Sequence, residues 1–128
     1  MKPARLLTSF VSCLVSAAAL SGPASALGEQ FRIGANLVFD KLNQRFVTGM
    51  GMPVLVGEYA SVARLSVDAS QRYRTYWDQY VTSAARQRGL VPMYWDDGYS
   101  GNHTMGLFNR SNGTQYYPSL TSTIVNAR

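Results

Sequence analysis

Cysteine and histidine are almost missing from this chain, which has one of each, Cys13 and His103. Cys13 lies in the apolar N-terminal stretch, so the rest has no thiol; a disulfide framework and thiolate chemistry are excluded. No His/Cys cluster has metal-ligand spacing, and neither a metal nor a cofactor is expected. A glycine-rich phosphate cradle and a Ser-His-Asp arrangement are also lacking. Charge is sparse, at 15% of residues with a formal net of +5. The basic residues Arg64, Arg72, Arg74, Arg86 and Arg88 are scattered, which reads as a solvated helix face and not a nucleic-acid footprint. Internal repeats and low-complexity tracts are absent after the first segment.

That first segment has a positive start in Lys2 and Arg5 and an apolar, alanine-rich stretch from Leu6 to Leu20. Ser21-Gly22-Pro23 breaks it, and Ala24-Ser25-Ala26 is an A-x-A cleavage site. The expectation is a secretory signal peptide over 1–26, a secreted protein (extracellular or periplasmic), and no membrane association after cleavage. Residues 27–128, 102 in all, would then carry a net charge of +3 and bury one modest core.

What is present is organised around Pro53-Val54-Leu55-Val56-Gly57-Glu58-Tyr59. An apolar run without polar alternation predicts a strand buried on both faces, as in a parallel sheet. A carboxylate at the end of such a strand is costly near a core, and that end is where α/β folds house chemistry. Leu90 to Tyr94 repeats the pattern and runs into Trp95-Asp96-Asp97-Gly98. Between them, Tyr73, Tyr76, Trp77, Tyr80, Val81, Ala84 and Ala85 form the stripe of a helix capped by Asp68 or Ser70 and stopped by Gly89. Strand, helix, strand predicts two parallel neighbours, with Glu58 and Trp95 at one sheet edge.

Upstream, Asn36 would cap a helix to about Thr48 with the stripe Val38, Leu42 and Phe46, ended by Gly49 and Gly51, while Phe31 to Gly34 is a short strand or a junction. Downstream, Tyr99 to Thr114 is a long loop, and Ser119 would cap a short last helix to about Ala127. His103 is read as a solvated loop residue. Asn102-His103-Thr104 and Asn112-Gly113-Thr114 match the N-glycosylation sequon, which matters only in a eukaryotic secretory route.

Phe39-Asp40-Lys41-Leu42 with Phe46-Val47, then Gly51 to Tyr59, Arg72-Tyr73, Met93 to Gly98 and Gly106-Leu107-Phe108-Asn109-Arg110 resemble, in order and spacing, glycoside hydrolase family five, the cellulase family. The resemblance implies a (β/α)8 barrel, of which this chain would hold about the last two βα units, so that 27–128 is the C-terminal portion of a catalytic barrel of about 250 residues. It implies retaining hydrolysis of β-1,4-glucan, with that polysaccharide as partner. Glu58 would be the nucleophile and Trp95 the platform under the sugar.

The chain departs from the family pattern elsewhere. No Asn-Glu pair exists to supply the general acid, and the family's other strand-end His, Tyr and Arg residues have no counterparts. Retaining chemistry needs a second carboxyl about 5 to 5.5 Å away, and neighbouring strands lie about 4.8 Å apart, which makes Asp97 a candidate substitute. Asp96 and Asp97 are otherwise read as capping the loop, binding a hydroxyl or, as the leading reading, keeping the loop wet. The rival expectations are a catalytically incomplete glucan-binding piece and a non-functional truncated gene product, with self-association through open sheet edges.

Overall fold

The structure, a computed structural model, describes residues 24–67 and 70–128. Most of the expected signal peptide, Cys13 and the cap candidate Asp68 lie outside the described residues. Five main elements follow in order: α1 (Ala24–Leu42), β1 (Leu55–Tyr59), α2 (Ser70–Arg86), β2 (Val91–Tyr94) and α3 (Pro118–Asn126). No helix among the described residues is long and apolar enough to cross a membrane.

α1 begins well before Asn36, which is an interior residue and not a cap, and Phe31 to Gly34 is helical. The packed stripe is Phe31, Ala35, Phe39 and Leu42, while Leu37 and Val38 are exposed. Phe31 stacks on Trp77 with ring centroids 5.7 Å apart and meets Tyr80 edge-on at 5.9 Å. Gly34 and Asn36 cost helix propensity, but burial of this aromatic face outweighs them. The helix continues as a π-helical turn, Asn43–Thr48, and ends where expected, with Gly51 at φ 65 and its N–H bonded to Val47 O. The Arg88 Nε–Asp40 Oδ1 ion pair at 2.6 Å and the Asn43 amide on Arg88 O tie this end to the end of α2.

α2 forms as its period predicts. Gly89 at φ 68 closes it, its N–H donating to Arg86 O while Leu90 N–H reaches Ala85 O, the paired bonds of a Schellman stop. Its buried face is the expected one in part, with Val81, Ala84 and Ala85 buried and Trp77 and Tyr80 packed against the core. Tyr73 and Tyr76 are exposed, whereas Arg74, Asp78, Val81, Thr82, Ala84 and Ala85 are buried. The arginines also differ from a solvated face: Arg74 is interior, Arg88 pairs with Asp40, and Arg86 Nη1 caps α3 through Val125 O and Ala127 O at 2.9 and 2.7 Å. α3 itself starts on Pro118 with Tyr117 as cap, so Ser119 is already inside it; proline at the first turn loses only an N–H that had no helical partner.

β1 and β2 pair in parallel with Leu55 opposite Val91, Val56 opposite Pro92 and Tyr59 opposite Tyr94. Burial on both faces does not hold. Val54, Val56, Leu90 and Tyr94 face the helices, but Leu55, Val91 and Met93 are 56%, 50% and 50% exposed. With two strands and every described helix contact on one side, the second apolar face has no layer against it. The core therefore lies between this sheet and α1 and α2, with a second small cluster of Leu107, Leu120 and Ile124 joined to it through Tyr94.

Candidate active site

The register shift in β1 decides where Glu58 goes. Gly57 and Glu58 together oppose the single residue Met93, the two-against-one count of a β-bulge. Strict alternation from Val54 and Val56 would carry residue 58 into the helix-packed core and residue 59 outward. The extra residue reverses that phase. Tyr59 is buried, its hydroxyl bonded to Thr82 Oγ1, and Glu58 is exposed. Glu58 has φ 58, a left-handed conformation that costs a side-chain-bearing residue about 1–2 kcal/mol. Such strain collects at functional positions. Glu58→Gly relieves it and loses about 0.5–1 kcal/mol to glycine's greater freedom when unfolded, so this variant is expected to gain up to about 1 kcal/mol in a denaturant melt.

Trp95 follows β2 directly, and its backbone N–H donates to Tyr59 O at 2.9 Å, tying it to the residue after Glu58. Its side chain, 46% exposed, continues the open face of Val91 and Met93. An indole on that face presents a flat apolar surface, and the exposed carboxylate stands on the adjoining strand end. The β1–β2 pairing thus sets the two sequence-nominated residues on adjoining strand ends.

Asp96 and Asp97 do more than keep the loop wet: they cap it, the alternative reading of the sequence. Asp96 Oδ1 accepts the N–H groups of Gly98 and Leu107 at 2.8 and 3.1 Å. Asp97 Oδ1 accepts from Tyr99 N–H at 3.0 Å and its Oδ2 from Met105 N–H at 2.9 Å. Both oxygens of Asp97 accept backbone N–H groups of its own loop, so this carboxylate holds the 97–105 turn closed. The loop closes tightly enough that a Cβ on Gly106 would collide with the Tyr99 backbone. Because backbone, not a flexible side chain, blocks the space, Gly106→Ala is expected to open the 97–106 loop and cost about 2 kcal/mol or more in thermal unfolding.

The loops leaving the two strands are zipped together. Ala63 N–H donates to Thr104 O and His103 N–H to Ala63 O, at 2.8 and 2.6 Å, and Asn102 Oδ1 accepts from Leu65 N–H. His103 is exposed, as expected of a loop residue. Beneath this zipper lies a polar cluster that no sequence motif marked. Arg74 Nε donates to Ser61 O at 3.1 Å, and Nη2 donates to Tyr94 Oη and Met105 O at 3.0 and 3.1 Å. Its guanidinium lies 4.8 Å from the Tyr117 ring centroid. One turn along, Asp78 Oδ2 accepts from Ser61 Oγ–H at 2.7 Å. Burial is the main cause that raises Asp78 from 3.8 to about 6, against the opposing hydrogen bond from Ser61 and the Arg74 charge. Burial likewise pushes the Tyr94 phenol up to about 12. The available signal was the i, i+4, i+7, i+11 row Arg74, Asp78, Val81, Ala85, which shares one helix face.

Among the described residues no group of three His, Cys, Asp or Glu is placed to hold a metal ion. No family model matches the chain. Over 88 residues it is 39% identical to endoglucanase A of Paenibacillus barcinonensis, covering 68% of this chain and 22% of that protein. It superposes on a family 5 xyloglucanase from Paenibacillus pabuli with a TM-score of 0.71 and 34% identity, covering 75% of this chain and 27% of the other. The chain belongs to glycoside hydrolase family five.

It spans roughly a quarter of the length of these family-five relatives. Its two parallel strands and three helices match part of the family-five barrel. A further family-five structure, a lichenase mutant from Caldicellulosiruptor sp. F32 in complex with cellotetraose, superposes at a TM-score of 0.65 and 29% identity over 78% of this chain and 26% of that one.

Proposed function

We propose that this chain carries the nucleophile side of a retaining β-1,4-glucanase site, with Glu58 as nucleophile and Trp95 as the platform for the sugar it attacks. The observation that carries the reading is the bulge at Gly57–Glu58: it holds a carboxylate in a strained conformation outside the core, on the strand end paired with the Trp95 strand. The relatives' endoglucanase and xyloglucanase names and the cellotetraose complex support a β-glucan as the ligand. A polymer of this size does not cross a membrane, which fits a secreted protein. The test is release of reducing ends from a soluble β-1,4-glucan by residues 27–128; where wild type releases them, equal release by Glu58→Gln defeats the assignment of Glu58.

A second reading is favoured by one specific finding: Asp97, the carboxyl past the strand end that adjoins Glu58, is bonded into its own loop. In that reading the chain binds glucan without turning it over. Cello-oligosaccharide binding by calorimetry is then expected without hydrolysis, and Trp95→Ala weakens it about tenfold or more, the scale of an aromatic platform worth 1–2 kcal/mol. Unchanged affinity in Trp95→Ala rejects the role of the indole.

A further inference from the structure

Arg74 is 2% exposed, yet it bonds three segments that the chain order keeps apart. Ser61 lies three residues after Glu58, Tyr94 immediately precedes Trp95, and Met105 is the residue whose N–H is held by Asp97. The Tyr94 hydroxyl adds its own bond to Met105 O at 2.9 Å, so guanidinium, phenol and carbonyl form a closed triangle. Asp78 braces the same knot from one helical turn away through Ser61. Nothing in this set reaches the open sheet face, so Arg74 does not touch a sugar lying on Trp95.

We propose that Arg74 is a positioning residue: its planar fork fixes the loop after Glu58 and the loop after Trp95 to one helix, and so sets the separation and tilt of the carboxylate and the indole. This rests on the glucan-site reading above and extends it to a residue outside the site. The choice of arginine is explained by geometry. Three bonds in two directions, to Ser61 O on one side and to Tyr94 Oη and Met105 O on the other, need a rigid guanidinium; an ammonium is a point donor without that fork. The closing of the Gly98–Gly106 loop depends on the same residue, because Met105 is bonded both by Arg74 and by Asp97.

Arg74→Lys keeps the positive charge beside Asp78 but loses the fork, and Val81→Ala, on the same buried helix face, is the packing control. Amide hydrogen exchange is measured without ligand on residues 27–128. In Arg74→Lys the amides of Met105 and Leu107 and of Ser61 to Ala63 are expected to exchange about tenfold faster relative to those of α2, while Val81→Ala loosens α2 and both strands together. Equal loosening everywhere in Arg74→Lys overturns the proposal, as does no loosening at all. Cello-oligosaccharide affinity is measured in parallel. Wild type that binds and Arg74→Lys that binds about tenfold more weakly, with the folded state intact, supports the positioning role; unchanged affinity overturns it. Wild type that does not bind defeats the glucan reading alone, and the exchange pattern then decides the placement of the two loops by itself. Should Arg74→Lys fail to fold, Tyr94→Phe removes one corner of the triangle, and its exchange is expected to rise at Met105 and Leu107 but not in α2.

Discussion

With 2,4-dinitrophenyl β-cellobioside, residues 27–128 are expected to release a burst of about one dinitrophenolate per chain and to gain the mass of one cellobiosyl unit, while Glu58→Gln does neither, a loss on the order of 10³-fold or more. Retaining chemistry uses its two carboxyls for separate tasks, attack on the anomeric carbon and proton transfer to the leaving group. A sugar or alcohol leaving group needs a proton from a general acid, and Asp97, the carboxyl past the strand end that adjoins Glu58, is bonded into its own loop by Tyr99 and Met105 N–H. Dinitrophenolate leaves unprotonated. A Glu58 oxygen then bonds to the anomeric carbon as the carbon–oxygen bond to the phenolate breaks, and the electron pair departs with the phenolate. The ester persists because its hydrolysis needs a base to activate water. Azide, which needs no such base, is expected to speed its breakdown. Mass spectrometry of the intact chain and of its peptides reads all of this, and an unlabelled wild type, or a label on any residue but Glu58, contradicts the assignment.

Arg74→Ala is expected to cost about 3–5 kcal/mol, comparable with the whole stability of a small domain. It leaves Ser61 O, Tyr94 Oη and Met105 O without their donor and Asp78 buried without its nearest cation. Denaturant unfolding followed by circular dichroism measures it. The same cluster carries a pH signature. Asp78 titrates near 6 in the folded chain against an ordinary 3.8, so between about pH 4 and 6 the folded state binds the proton that the unfolded state has released. Stability is therefore greatest below about pH 4 for this group and falls as pH rises through 6, by about 3 kcal/mol for two units. Asp78→Asn keeps an acceptor for the Ser61 hydroxyl and has no proton to release, so its melting temperature is expected to be flatter across that window. An equal slope in both proteins refutes the attribution to Asp78.

Local signals in the sequence determined the order strand, helix, strand, the Gly89 stop, the parallel pairing, and the nomination of Glu58 and Trp95. These depend on period and termination, which act over one or two turns of chain and can be read along it. The course of α1 escaped because Gly34 and Asn36 weigh against helix locally, and only the aromatic surface of α2 outweighs them. Tertiary structure alone decided the rest. Whether Glu58 points into the core or out of it depends on one extra residue opposite Met93, a register fixed by the partner strand and by Tyr59 finding Thr82. Arg74 and Asp78 are polar by type and would be solvated on a bare helix; they are buried because the 99–106 loop folds back and supplies Met105 O, and because Ser61 and Tyr94 arrive from two different strands. The fates of Asp96 and Asp97 follow from the same fold-back, since the N–H groups that occupy them belong to residues up to eleven positions away. The partners of a buried polar group are set by the closure of the chain in three dimensions.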